Sequence, residues 1–251
     1  MFSLRQLTAA LFSFLLLGAV TPAALASSIE GMAFSLPSKE GSISVERYAA
    51  SGTNRRSSVV ILHGRQGVEK LHDHYQRFAV ALAEAGFDAY LVNYYVGDDS
   101  QRANNPDAEQ RQANFSNRIH AWSKVVSTIM DSILLNDLAS GRIALLGFSQ
   151  GGYLATATAG LDSRVSALGV FYGGIPAAVK DEITRLPPLL ELHGDADRTV
   201  PLENGRALVD LARTLGQQGE LIVYPGAGHG FFGNDDRDSR QHTIDFFRRY
   251  L

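Results

Sequence analysis

The chain has 251 residues, a formal net charge of −3 at pH 7 and no cysteine. That excludes a disulfide framework, and without a lysine or arginine run to track a phosphate backbone, nucleic acid is not an expected partner. Repeats and low-complexity linkers are absent, and the roughly 225 residues after the leader suit one domain with one substantial core.

The first 26 residues read as a secretory signal peptide. Arg5 gives a positive start, Leu7 to Val20 is apolar and uncharged, and Ala24-Leu25-Ala26 fits a small-x-small cleavage site. The competing reading is a membrane anchor. A run of 14 residues falls short of the roughly 20 that span a bilayer, and Pro22 follows it. Cleavage removes Arg5, taking the net charge to −4, and leaves residues 27–251 with no stable membrane anchor. Without cysteine a lipid-linked anchor is excluded too. The expected location is the periplasm or the medium.

Strands and helices then alternate. Ser42 to Tyr48 reads as a strand in a hairpin with Met32 to Leu36, and Ser58-Val59-Val60-Ile61-Leu62 as a strand buried on both faces. Leu71 to Ala85 has helical spacing and stops at Gly86, a C-cap. Asp88 to Tyr94 is the next strand. In the helix over Ala108 to Leu138, Trp122, Val125, Val126, Ile129 and Ile133 form the apolar stripe. Further strands are expected at Arg142–Leu146, Val165–Tyr172, Leu189–His193 and Glu220–Tyr224. Helices are expected after Ser149, over Leu202–Leu215 and over Asp238–Leu251. Such repetition predicts an α/β fold, a mostly parallel sheet with helices on both faces, whose ligands bind beyond the C-terminal strand ends.

Reactive residue types fall at those ends. Gly147-Phe148-Ser149-Gln150-Gly151 has the form of a nucleophile elbow, a strand-to-helix turn tight enough to need glycine. Asp197 follows the Leu189–His193 strand, and His229 lies between Gly228 and Gly230 after the last strand. The order Ser, Asp, His is that of the α/β-hydrolase architecture. A serine hydroxyl needs a base such as imidazole, and an acid fixes the imidazole tautomer. Asp195 competes with Asp197, but directly after the turn glycine it is better suited to tying the turn. The Gln150 amide at a helix N-terminus and the Arg65 amide in the loop His63-Gly64-Arg65-Gln66-Gly67 are the expected oxyanion donors. His63 is expected to order that loop. His72 and His74 read as solvated surface, since no His/Cys cluster completes a metal site. No metal or other cofactor is expected.

At this point the chain resembles the dienelactone hydrolase family of the α/β-hydrolase superfamily. The resemblance rests on Val59–Gly67, Gly147–Gly152, Leu192–Pro201 and Gly226–Phe231, and it extends from about Ile29 to the C-terminus. It implies the triad Ser149, Asp197 and His229, with oxyanion donors at Arg65 and Gln150. There are departures. The best-known members have cysteine where this chain has Ser149, a glutamate where it has Gly64, and a carboxylate-holding arginine where it has Gly233.

The implied activity is hydrolysis of a small carboxylic ester or lactone through an acyl-enzyme. Two alternatives stand beside it, a small peptidase of the prolyl-oligopeptidase type and a binding protein that lost the chemistry. Tyr95, Phe148, Tyr172 and Phe231 are candidate walls of the substrate pocket, or equally core. The segment from Tyr94 to Phe115 is expected to line or cover it. Arg102, Arg111 and Arg118 read as solvated charges, one of which could replace the arginine missing at Gly233. The oligomeric state is not legible.

Overall fold

The computed structural model describes residues 29–51, 57–135 and 142–251. The leader and the end of the long helix expected at 136–138 lie outside them. The chain opens with the hairpin β1 (Met32–Ser38) and β2 (Gly41–Tyr48), then β3 (Ser57–Leu62), α1 (His72–Glu84) and β4 (Asp88–Asn93). Next come α2 (Asp99–Ala103), α3 (Ala108–Leu135), β5 (Arg142–Phe148), α4 (Gln150–Leu161) and β6 (Val165–Phe171). The rest is β7 (Leu189–Gly194), α5 (Leu202–Thr214), β8 (Gly219–Tyr224) and α6 (Gly233–Tyr250).

The strands form one sheet in the order β1-β2-β4-β3-β5-β6-β7-β8. β2 pairs antiparallel with β1 and β4, and every later pair is parallel. Successive side chains point to opposite faces. Val60 and Leu62 therefore lie on the face covered by α3, α4 and α5, while Val59 and Ile61 lie on the face covered by α1 and α6. All six residues of β3 are buried, as the unbroken apolar run predicts. This is the α/β-hydrolase fold.

Two elements differ from expectation. α6 begins at Gly233, five residues before Asp238, because its first turn is polar and carries no hydrophobic period. Asp235 and Asp236 there complement the helix dipole, and Arg240 one turn later holds Asp236. α2 is an unexpected short helix, anchored by the buried Asp99. That carboxylate accepts from Arg118 Nε at 2.8 Å, Trp122 Nε1 at 2.8 Å and Val96 N at 3.1 Å.

The sharpest constraint lies between β5 and α4. Ser149 has φ 53° and ψ −118°, a conformation that side chains avoid. The turn brings the start of α4 against the end of β3. A Cβ on Gly151 would sit 2.3 Å from Leu62 O, and one on Gly147 would sit 2.2 Å from Gly151 O. Backbone cannot yield as a side chain can. Gly151→Ala should therefore cost about 3 kcal/mol or more, whereas Gly228→Ala, with open space at its Cβ, should stay within about 0.5 kcal/mol. Urea midpoints of the two variants against the parent check this; equal midpoints would contradict the close contact.

Candidate active site

Three loops at strand ends bring the predicted triad together. Ser149 Oγ donates to His229 Nε2 at 2.9 Å, and His229 Nδ1 donates to Asp197 Oδ2 at 2.7 Å. The directions follow from chemistry. A carboxylate only accepts, so Nδ1 carries the proton and Nε2 presents a lone pair to the hydroxyl. Ser149 N is held by Phe171 O at 2.9 Å. The Gln150 amide opens α4 as one of the first-turn donors that helix geometry leaves without an intrahelical acceptor.

The acid is fixed by its own loop. Asp197 Oδ1 accepts from Thr199 N at 2.8 Å and Val200 N at 2.9 Å, leaving Oδ2 for His229. Asp195 instead accepts from Gly226 N at 2.6 Å, tying the β7 and β8 loops together. Behind Asp197 lies a pair that sequence reasoning missed. Glu191 and His193, both without solvent exposure, meet at 2.8 Å through Oε1 and Nδ1. His193 Nε2 donates to Val200 O at 2.9 Å and lies 3.7 Å from Asp197 Oδ2. Burial pushes the Glu191 carboxyl up. Burial also opposes charge on His193, but Glu191 and the Val200 carbonyl outweigh it and hold the imidazole above its ordinary range. The signal was available: a glutamate and a histidine two apart in an apolar strand share one buried face.

The loop after β3 lies against the nucleophile, with the Gly64 Cβ position 3.6 Å from Ser149 Cβ. His63 orders it. Its imidazole, fully buried and stacked on Tyr94 at 4.0 Å, donates from Nδ1 to Gly64 O at 2.7 Å. Gly64 N donates to Tyr75 Oη at 2.9 Å. The peptide that carries the Arg65 amide is thus clamped on its carbonyl side.

A cleft of about 680 Å³ opens over Ser149 and His229. Phe148, Tyr172 and Phe231 line it, as does Arg65. The Tyr172 ring lies 4.6 Å from that of His229. Tyr95 does not line it. Its hydroxyl donates to Arg65 O at 2.9 Å and accepts from Gln150 Nε2 at 2.8 Å, which places it behind the loop after β3. The 95–118 segment is likewise no wall, because Asp99 draws it onto α3. Arg118 is spent on Asp99 and Glu40, Arg102 on Asp98, and Arg111 on backbone carbonyls. The missing wall comes from residues 69–77, whose histidines had read as solvated surface. Lys70, Leu71 and Arg77 line the cleft there, as does the exposed Phe232.

His72 and His74, expected at the solvated surface, are both engaged. His72 Nε2 meets Glu46 at 2.9 Å. His74 packs edge-on to Phe148 and lies 3.6 Å from Asp236. Among the described residues no group of three His, Cys, Asp or Glu could hold a metal ion.

Burial lowers both His63 and His74 to about 4, from an ordinary value near 6.5. For His74 the Asp236 carboxylate opposes that shift, while Arg77 and Arg240 reinforce it. Keeping the two rings neutral contributes stability that is fully present above pH 6.5 and lost as pH falls through 4. The melting temperature should decline over that window, and His74→Gln should flatten the decline by several degrees, on the order of 2–4 °C per kcal/mol. Parallel pH–melting profiles of parent and variant would contradict the assignment.

Residues 45–251 match the Dienelactone hydrolase family. Among curated proteins, a Methylorubrum extorquens relative provisionally named a carboxymethylenebutenolidase is 24% identical, over 86% of this chain and 79% of its own. Among solved structures, the dienelactone hydrolase of Anabaena variabilis aligns with TM-score 0.62 at 18% identity, covering 89% of this chain and 99% of that one. A serine hydrolase without a lid from Xanthomonas campestris aligns with TM-score 0.64 at 22% identity, over 88% and 95%. The machinery is that of a serine-type carboxylic-ester hydrolase. With its fold, its strand-end constellation and this match over most of its length, the chain belongs to the dienelactone hydrolase family.

Proposed function

We propose that the protein is an exported enzyme that cleaves small carboxylic esters or lactones through an acyl-enzyme on Ser149. The continuous hydrogen-bond line from Asp197 through His229 to Ser149 carries this reading. His229 Nε2 takes the hydroxyl proton as Oγ bonds to the substrate carbonyl carbon. The carbonyl oxygen, now an oxyanion, is held by the Arg65 and Gln150 amides. As the C–O bond to the alcohol breaks, His229 returns the proton to the leaving oxygen. Water then adds to the acyl-enzyme by the same proton path, releasing the acid and free Ser149. Asp197 stays ionised and stabilises the transient imidazolium.

The cleft supports a small, partly apolar substrate. Phe148, Tyr172 and Phe231 form its floor, Leu71 and Phe232 its lips, and Lys70 and Arg77 add positive charge. The family's arginine position holds Gly233, so a carboxylate would have to be met from the 64–77 side. The leader reading supports export. No helix of the described residues is long and apolar enough to cross a membrane.

Ser149→Ala should lower kcat for p-nitrophenyl acetate by about 10³-fold or more and abolish labelling by a fluorophosphonate. Undiminished turnover would end this assignment. The same assay on an aminoacyl p-nitroanilide separates ester from peptide hydrolysis, and the ester should be cleaved far faster.

A further inference from the structure

Two side chains near the oxyanion site have no part in the proton path, yet they join its halves. Gln150 Nε2 donates to Tyr95 Oη at 2.8 Å and lies 3.3 Å from Tyr94 Oη. Tyr95 Oη donates to Arg65 O at 2.9 Å, and Tyr94 Oη donates to His63 O at 3.0 Å. The directions are forced, because a carbonyl only accepts and each phenol has one proton. Burial pushes both phenols well above their ordinary range, so both remain donors. Asn104 Nδ2 adds a second donor to Arg65 O at 3.2 Å.

We propose that Tyr95 and the Gln150 carboxamide are positioning residues that lock the two oxyanion amides to each other. Gln150 then serves twice. Its backbone N–H is one donor, and its side chain, through a single phenol, fixes the loop that bears the other. The proposal rests on the serine-hydrolase reading above, since only an oxyanion needs both amides in register. A donor must lie about 2.7–3.1 Å from the oxyanion, and a displacement of about 1 Å can cost about 100-fold. The connection is short. From the Gln150 carboxamide to the Arg65 carbonyl there is one intervening hydroxyl, buried with its ring at 8% exposure.

The test uses Tyr95→Phe, Gln150→Met and the double variant in the full chain. Each single change should lower kcat for p-nitrophenyl acetate about 10–100-fold with KM within about threefold. Affinity for phenylboronic acid, whose tetrahedral adduct on the serine needs the oxyanion site, should fall by the same factor. The double variant should be no worse than the worse single one, because both changes cut one connection. Variants with kcat within twofold of the parent overturn the proposal, as does a kcat loss without loss of boronate affinity, or losses that multiply. If Tyr95→Phe does not fold, Gln150→Met decides alone. An inactive parent would overturn the underlying reading as well, whereas an active parent with unaffected variants overturns this link only.

Discussion

The close approach of α4 to the end of β3 is the contact on which the rest of the site depends. Gly151 lies so near the Leu62 and His63 carbonyls that no side chain fits between them. This proximity puts the serine turn and the loop after β3 side by side, as the proposed oxyanion site requires. The strained φ of Ser149 is tolerated because its N–H is bonded to Phe171 and its C=O accepts from Gly152 and Tyr153. Rigid backbone on both sides holds what a lone turn would relax.

Around that contact, polar groups are buried in connected sets. On one side, Tyr75, Tyr94, Tyr95 and His63 pin three successive peptides of the loop. On the other, Glu191 and His193 brace the Asp197 loop through Val200 O. Leaving any of these groups unpaired would cost on the order of 1–3 kcal/mol, and Glu191 Oε2 is one buried atom of these sets without a hydrogen-bond partner. His193 Nε2 also lies 3.7 Å from Asp197 Oδ2, so the buried pair backs the carboxylate that holds the catalytic imidazole.

Much of this was legible from sequence. The parallel strands read well because residues such as Val59 to Leu62 are buried on both faces, and the ordered placement of Ser149, Asp197 and His229 at strand ends needed no coordinates. Choosing Asp197 over Asp195 also followed, since a residue next to the turn glycine naturally ties the turn, as Asp195 does through Gly226. The cleft wall was not legible. Tyr95 and Phe148 are both aromatic residues beside strand ends, and only packing shows one behind the loop after β3 and the other lining the cleft. Residues 69–77 were not expected in the wall because a polar stretch entering a helix looks like solvated surface, and His74 shows how a single aromatic neighbour changes that. The start of α6 was hidden for the same reason: its first turn is held by charge rather than by an apolar stripe.

The proposed mechanism requires a covalent acyl-enzyme on the serine of the strained turn. Acid-quenching the protein during turnover of a slowly deacylating p-nitrophenyl ester, followed by intact mass and peptide mapping, tests it directly. One acyl group per chain is expected, attached to Ser149 in the peptide spanning β5 and α4. Sustained turnover with no adduct, or with the acyl group on another residue, would contradict it.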